Sequence, residues 1–196
     1  MEVGYYMGIL DVWAAKVKKP GTMTEAPEYD TPVVMGSSIE VKISPVYREG
    51  KMYASNRVVR DVKLISGYEV EADVDQIVPA VRRMLMGRTQ DGNKVDIIGG
   101  DNRPPEVAIG FALTLDDGSR ELWWLYRGTF SELEVSAKTD GEKVEYQTPK
   151  VKGVFNRRLH DNRLAMVVNS KEAGAETAVK DWFDKVYKSP AAGVGP

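Results

Sequence analysis

The chain has 196 residues, 42% hydrophobic and 29% charged, and its 27 Lys+Arg against 29 Asp+Glu leave a formal charge of -2. That length and balance exclude global disorder and allow one substantial core, and the acidic balance argues against non-specific duplex binding as the main task. There is no Cys and a single His, His160, which removes disulfide scaffolds, thiolate zinc sites, thiol nucleophiles, iron–sulfur clusters and any site needing two imidazoles.

Met1-Glu2-Val3-Gly4 is not a basic region followed by an apolar stretch, so no secretory leader is expected. No apolar run approaches the roughly 20 residues of a membrane-spanning helix. Pro20 to Pro32 contains Glu25, Glu28 and Asp30 with no Lys or Arg and is expected to be an acidic loop. Ile39, Val41 and Ile43 alternate with Ser38, Glu40, Lys42 and Ser44, the period of a strand with one apolar face. Tyr47 to Arg60 then looks too long for a tight hairpin and is expected to be a protruding, flexible arm. It is basic, with Arg48, Lys51, Arg57 and Arg60 against Glu49, and it also carries Tyr47, Met52 and Tyr53.

From Asp61 to Asp75 the alternation resumes. Val62, Leu64, Tyr68, Val70, Ala72 and Val74 are expected on one face; Asp61, Lys63, Glu69, Glu71, Asp73 and Asp75 are expected on the other. Such a strand exceeds the usual length, so a bend or bulge is expected near Ser66-Gly67. Asp75 to Met86 predicts a helix, with Asp75 as cap, Pro79 early enough to be tolerated, and Val78, Val81 and Leu85 as its stripe. Gly87 is placed to end it.

Val107 to Leu115 and Arg120 to Phe130 predict a hairpin closed by Asp116-Asp117-Gly118. The returning strand is apolar on both sides, with Leu122, Trp124 and Tyr126 opposite Trp123 and Leu125, so it is central or covered at an interface. A turn is expected at Thr139-Asp140-Gly141 before a strand through Val144, Tyr146 and Thr148, and a last strand over Leu164 to Val168. Glu176 to Tyr187 places Val179, Trp182, Phe183 and Val186 on one helical stripe, to pack on a sheet. Pro190 to Pro196 reads as a mobile tail after a single mainly β domain spanning 1–189.

The search for chemistry yields little. Gly99-Gly100-Asp101 lacks the Lys-Ser/Thr of a phosphate loop. Gly36-Ser37-Ser38 opens a strand and is not a nucleophile elbow. Asp73-Val74-Asp75 begins like a calcium loop but lacks its Gly and terminal Glu. His160 beside Asp161 lies in a polar loop, where an exposed histidine is the plainer reading than a general base. Trp123 and Trp124 alternate to opposite faces and cannot form one flat sugar platform, which favours core plus subunit interface. No catalytic residue, metal or cofactor is expected.

Five pieces in order carry a resemblance: Leu85-Met86-Gly87-Arg88-Thr89-Gln90-Asp91-Gly92; Gly110-Phe111-Ala112-Leu113 with the Asp116-Asp117-Gly118 turn; Trp124-Leu125-Tyr126-Arg127-Gly128-Thr129-Phe130; Glu145-Tyr146-Gln147-Thr148-Pro149; and Trp182-Phe183-Asp184. In these the chain resembles the major tail protein, or tail tube, family of long-tailed bacteriophages, over roughly Val3 to Tyr187. The resemblance implies a β-sandwich of two antiparallel sheets flanked by one or two helices, assembling into hexameric rings that stack into a hollow tube for DNA. The related type VI secretion tube protein shares that architecture. It implies no cofactor, no catalysis and no membrane. Its partners would be further copies of the chain and the tape measure, tail terminator and distal tail proteins. DNA would be passing cargo, and the setting would be the virion, after assembly in the host cytoplasm.

Two expectations follow. Glu69, Glu71 and Asp73 would face the channel and keep DNA from sticking. The arm (Tyr47, Arg48, Lys51, Met52, Tyr53, Arg57) would meet the acidic loop (Glu25, Glu28, Asp30) of a copy in the adjacent ring. The rivals are a terminator ring of the same fold, a β-sandwich module for a ligand such as a carbohydrate, and a small enzyme using two facing carboxylates.

Overall fold

The computed structural model describes residues 4–54, 57–133 and 148–189. The turn expected at Thr139-Asp140-Gly141, residues 144–147 of the expected strand through Thr148, and the tail from Pro190 to Pro196 lie outside the described residues. In chain order the elements are β1 (Tyr6–Lys19), β2 (Glu28–Tyr29), β3 (Val33–Gly36), β4 (Ser38–Ala54), β5 (Arg57–Val74), α1 (Pro79–Met86), β6 (Thr89–Gln90), β7 (Asp96–Ile97), β8 (Val107–Leu115), β9 (Arg120–Phe130), β10 (Lys150–Asn156), β11 (Ala165–Asn169) and α2 (Glu176–Lys180).

The fold is mainly β and antiparallel, as the periodicity indicates. Nine strands form one sheet in the order β2-β1-β8-β9-β10-β5-β4, with β3 also on β1 and β11 also on β9; β6 and β7 make a separate pair. The ends of this sheet meet in sequence, because only Ser37 separates β3 from β4. The sheet therefore folds over, and its two halves serve as the facing layers. Their inner sides bury Val12, Val70, Ala72, Phe111, Leu125, Phe130, Val151 and Phe155, with Val81, Leu85 and Met86 of α1 packed into the same cluster.

The β8–β9 hairpin has the predicted bounds, with Gly118 at φ 77° in its turn, a region open to glycine without steric cost. The two apolar faces of β9 now have separate reasons. Leu125 enters the inner core, whereas Leu122, Trp124 and Tyr126 lie on the outer side, covered by Trp182 and Val186 of the C-terminal segment. Trp123 stacks on Phe111 at 5.8 Å between centroids, on the face opposite Trp124.

Three expectations change. Asp75 does not cap α1: Val78 occupies the N-cap position, without a side-chain hydrogen bond, and Pro79 starts the helix. The Asp75 carboxylate instead accepts from the Ser37 and Gln76 amides, while the Asp75 amide donates to the Ser37 carbonyl. It thereby ties the β3–β4 corner to the end of β5. Gly87 does end the helix, in the left-handed conformation at φ 61°.

The second helix is shorter than predicted, Glu176–Lys180, followed by turns. The apolar stripe still packs on the sheet, but side chains of β9 take its backbone carbonyls. Trp124 Nε1 donates to the Trp182 carbonyl at 2.8 Å, and the Tyr126 hydroxyl donates to the Tyr187 carbonyl at 2.9 Å.

The arm is not an irregular insertion. β4 and β5 continue as a paired ribbon through Tyr47↔Ile65, Lys51↔Asp61 and Ala54↔Arg57, so Tyr47 to Arg60 is the outer part of one long hairpin.

Candidate assembly surfaces

Because successive strand residues point to opposite sides, register decides which side chains share a surface. Along the base of the ribbon, three strands place charges in rows. Glu40 of β4, Asp73 of β5 and Lys150 of β10 are opposite one another, as are Lys42, Glu71 and Lys152; Ser44, Glu69 and Val154 make the next row. Lys150 Nζ is 3.1 Å from Asp73, and Lys152 Nζ is 3.4 Å from Glu71. Thr148 also donates to Asp73 at 3.0 Å.

Glu69, Glu71 and Asp73 are therefore brought onto one face as the sequence suggests. The face itself, however, is not simply acidic. Four carboxylates stand against Lys42, Lys150 and Lys152, and Glu69 is opposite only Ser44 and Val154. The lysines of β10 were missed because that strand was not recognised, although its alternation (Lys150, Lys152, Val154 outward; Val151, Gly153, Phe155 buried) is present in the sequence.

The bulge expected near Ser66 is present, and it alters the surface beyond it. Gly67 is opposite Val46 and Ile65 is opposite Tyr47, which leaves Ser66 as the extra residue, its hydroxyl donating to the Val46 carbonyl at 3.0 Å. One extra residue resets a period of two. Asp61 and Lys63 thus leave the face of Glu69 and Glu71, where simple alternation put them, and join the side of Val70. Val62 and Leu64 move the other way.

The outer ribbon has two different sides as a result. One carries Tyr47, Glu49, Lys51, Asp61 and Lys63, and its charges are paired. Lys63 Nζ is 3.0 Å from Glu49 and 4.4 Å above the Tyr47 ring, and Lys51 is 4.0 Å from Asp61. The Lys63–Glu49 hydrogen bond raises the Lys63 pKa and lowers that of Glu49. The other side carries Arg48, Met52, Arg60, Val62 and Leu64. Met52 is 59% and Leu64 51% exposed, and neither arginine has an ion pair among the described residues. Arg57 is exposed near the tip, opposite Ala54; the Tyr53 side chain lies outside the described part.

The acidic Pro20–Pro32 segment is not a loop throughout: Glu28 lies in β2, opposite Lys19 of β1, and Glu25 is engaged within the chain by Lys19 at 2.9 Å. Glu28 and Asp30 are exposed, with Met23, Val33 and Val34 exposed nearby in sequence. His160 is exposed, and Asp161 is not its partner. Asp161 is held by Arg158 and Arg163. Burial pushes its carboxyl up, yet the two guanidiniums outweigh this and hold it below its ordinary pKa. Arg158 itself is buried, 3.7 Å over the Tyr126 ring.

No family model matches the chain, and no curated protein matches it. Among solved structures it is similar to the tube-terminating cap of an anti-feeding prophage, known by cryo-electron microscopy. The TM-score is 0.44 and the identity 9%, over 86% of this chain and 94% of that one. Values this low carry no argument about function.

Proposed function

We propose that the chain is a structural, non-catalytic protein of a phage-type tail, assembling with copies of itself into rings that stack as a tube for DNA. The observation that carries this reading is the β4–β5 ribbon. It is a long, exposed hairpin, bulged at Ser66, with one self-paired side and one apolar, basic side, and its β4 edge pairs with no other strand among the described residues. Open edges and apolar ribbons invite association, and a soluble protein retains them where association is the purpose. The order of family-like motifs along the chain supports the same reading.

Within the tube, the face bearing Glu69, Glu71 and Asp73 lines the channel. Its interleaved lysines make it nearly neutral, so it offers phosphates neither a cationic groove nor a uniform repulsive field. The ribbon reaches the Glu28 and Asp30 region of the adjacent ring with its Arg48 and Arg60 side. Electron microscopy of the purified protein tests this directly. Tubes support the reading, single rings indicate a terminator that does not polymerise, and dispersed monomers under all assembly conditions refute it. Arg48→Glu with Arg60→Glu should abolish tubes, whereas Lys51→Glu, on the self-paired side, should leave them.

A further inference from the structure

Beyond Gly67 the two strands of the ribbon leave the body, and one hydrogen bond follows them. β10 pairs with β5 from Lys150↔Asp73 to Asn156↔Gly67; further out, β5 is paired with β4 alone. Arg157 is the first residue after β10. Its guanidinium donates to the carbonyl of Ile65, at the foot of the ribbon. Among the described residues this is the one hydrogen bond or ion pair that joins residues 47–65 to another part of the chain. The Lys63–Glu49 and Lys51–Asp61 pairs lie within the ribbon itself.

The donor is mounted on a fixed base. Arg127 of β9 donates to the Arg157 carbonyl at 3.4 Å and to Glu106 at 2.8 Å. Arg158, the next residue, is buried, with its guanidinium 3.7 Å over the Tyr126 ring and paired with Asp161. Its amide donates to the Arg163 carbonyl at 2.9 Å and closes the turn. Tyr126 and Arg127 are neighbours on β9, so the Arg157 backbone is tied to the centre of the sheet, two strands from β5.

The chemistry suits a restraint. A guanidinium presents a rigid, planar fork of donors, and a charged donor bonds a carbonyl more strongly than a neutral one. Arg157 is half-buried, where such a bond is less weakened by water than at the surface. The lever is also long. From Ile65 to Arg57 the ribbon extends about 26 Å at roughly 3.3 Å per residue, so a swing of about 10° at its foot carries the tip about 5 Å, one strand spacing.

We propose that Arg157 is a positioning residue that holds the β4–β5 ribbon to one direction against the body. A ribbon so held has less freedom to lose when it docks. That benefit to assembly rests on the tube reading; the restraint itself does not.

The absence of Cys allows the restraint to be measured directly. Spin labels are placed on Lys51→Cys, on the self-paired side of the ribbon, and on Lys16→Cys of β1, an exposed body position four strands from β5. Their distance distribution is read by double electron–electron resonance on dilute protein shown to be monomeric by sedimentation. The parent should give one narrow distance. Arg157→Met keeps the aliphatic stem and removes the donors; it should at least double the width while melting within a few degrees of the parent. Arg157→Lys returns a charged donor and should recover part of the narrowing. Arg127→Gln, which loosens the base, should broaden the distribution less than Arg157→Met. Equal widths for the parent and Arg157→Met overturn the proposal, and so does Arg157→Lys being as broad as Arg157→Met. An Arg157→Met variant that does not fold also overturns it, since Arg157 would then be a requirement of the fold. Where the parent forms tubes, Arg157→Met should raise the protein concentration they need several-fold. A parent that forms none refutes the tube reading and leaves the distance result standing.

Discussion

Deleting Ser66 separates the bend of the ribbon from the side chains it presents. Ser66 is the extra residue between the Gly67↔Val46 and Ile65↔Tyr47 pairs, so without it those pairs become consecutive and the ladder closes regularly. The lost contact is one part-buried hydrogen bond, from the Ser66 hydroxyl to the Val46 carbonyl at 3.0 Å, worth about 1 kcal/mol net. For a chain of this size that lowers the melting temperature by about 2–4 °C. The surface is kept, because β4 alternates without a break from Ser44 to Met52 and Ile65 stays opposite Tyr47. Leu64, Met52, Arg48 and Arg60 remain on the side of Glu69, and the self-paired Lys63–Glu49 side remains on that of Val70; only the local bend and twist of the bulge are lost. The deletion should therefore melt within a few degrees of the parent by circular dichroism and still form tubes in the electron microscope. A fall of more than about 10 °C would show that the bulge is a packing requirement. Loss of tubes at an unchanged melting temperature would show that the bend at the bulge is required, and would end the argument that the side chains on the apolar, basic side suffice for docking.

Three further outcomes follow from the geometry. Gly128 leaves room for the Phe155 ring across the β9–β10 pair, so Gly128→Ala would drive a Cβ into that ring; a loss of about 1–3 kcal/mol in urea unfolding is expected, partly recovered by adding Phe155→Leu. Asp117 is held at a pKa of about 2 by the Ser119 hydroxyl and amide, with Lys171 adding to the effect, against an ordinary 3.8. A carboxyl depressed on folding stabilises above its unfolded pKa, and that contribution disappears as pH falls from about 4 through about 2; Asp117→Asn should lower the melting temperature at neutral pH and flatten its decline across that window. Replacing Lys150 and Lys152 with Gln leaves four carboxylates facing Lys42 alone. The resulting loss of stability should be small and should fade in high salt; a loss that salt does not touch would assign the lysines a packing role through their aliphatic stems.

What could be read from the sequence was whatever alternates without interruption. The β8–β9 hairpin, the buried side of β5 and the end of α1 at Gly87 all follow from period and turn chemistry. β1 escaped because its alternation is broken by register shifts between Tyr6 and Gly8 and between Ile9 and Val12. It also escaped because Ala14 and Ala15 are both buried, one in each apolar cluster. β10 escaped because its inner row contains Gly153 and its outer row contains Val154, which blurs the contrast between sides. The α2 stripe was correct in residues and wrong in shape: Trp182 and Val186 pack as predicted, but hydrogen bonds from β9 settle the backbone there. For the arm, both strands were within view. Reading Tyr47 to Arg60 as a flexible arm overlooked that two strands can extend past the body and pair only with each other.

The same bulge explains why the candidate surface was half legible. A period of two assigns sides correctly only up to the first inserted residue, so Glu69, Glu71 and Asp73 were placed together and Asp61 and Lys63 were not. Across strands the sequence is silent, since the neighbours of Glu71 are Lys42 and Lys152, 29 and 81 residues away. Charge counted along the chain therefore suggested an acidic strand, whereas charge counted across the sheet shows alternating rows. The difference is physical. An acidic row costs self-repulsion and needs screening, but interleaved rows hold their own counter-charges at fixed positions and change little with salt. A wall against which a polyanion must move without being held is better served by the second arrangement. In it Lys150 and Lys152 are already held by Asp73 and Glu71, and Glu69 supplies the residual negative charge.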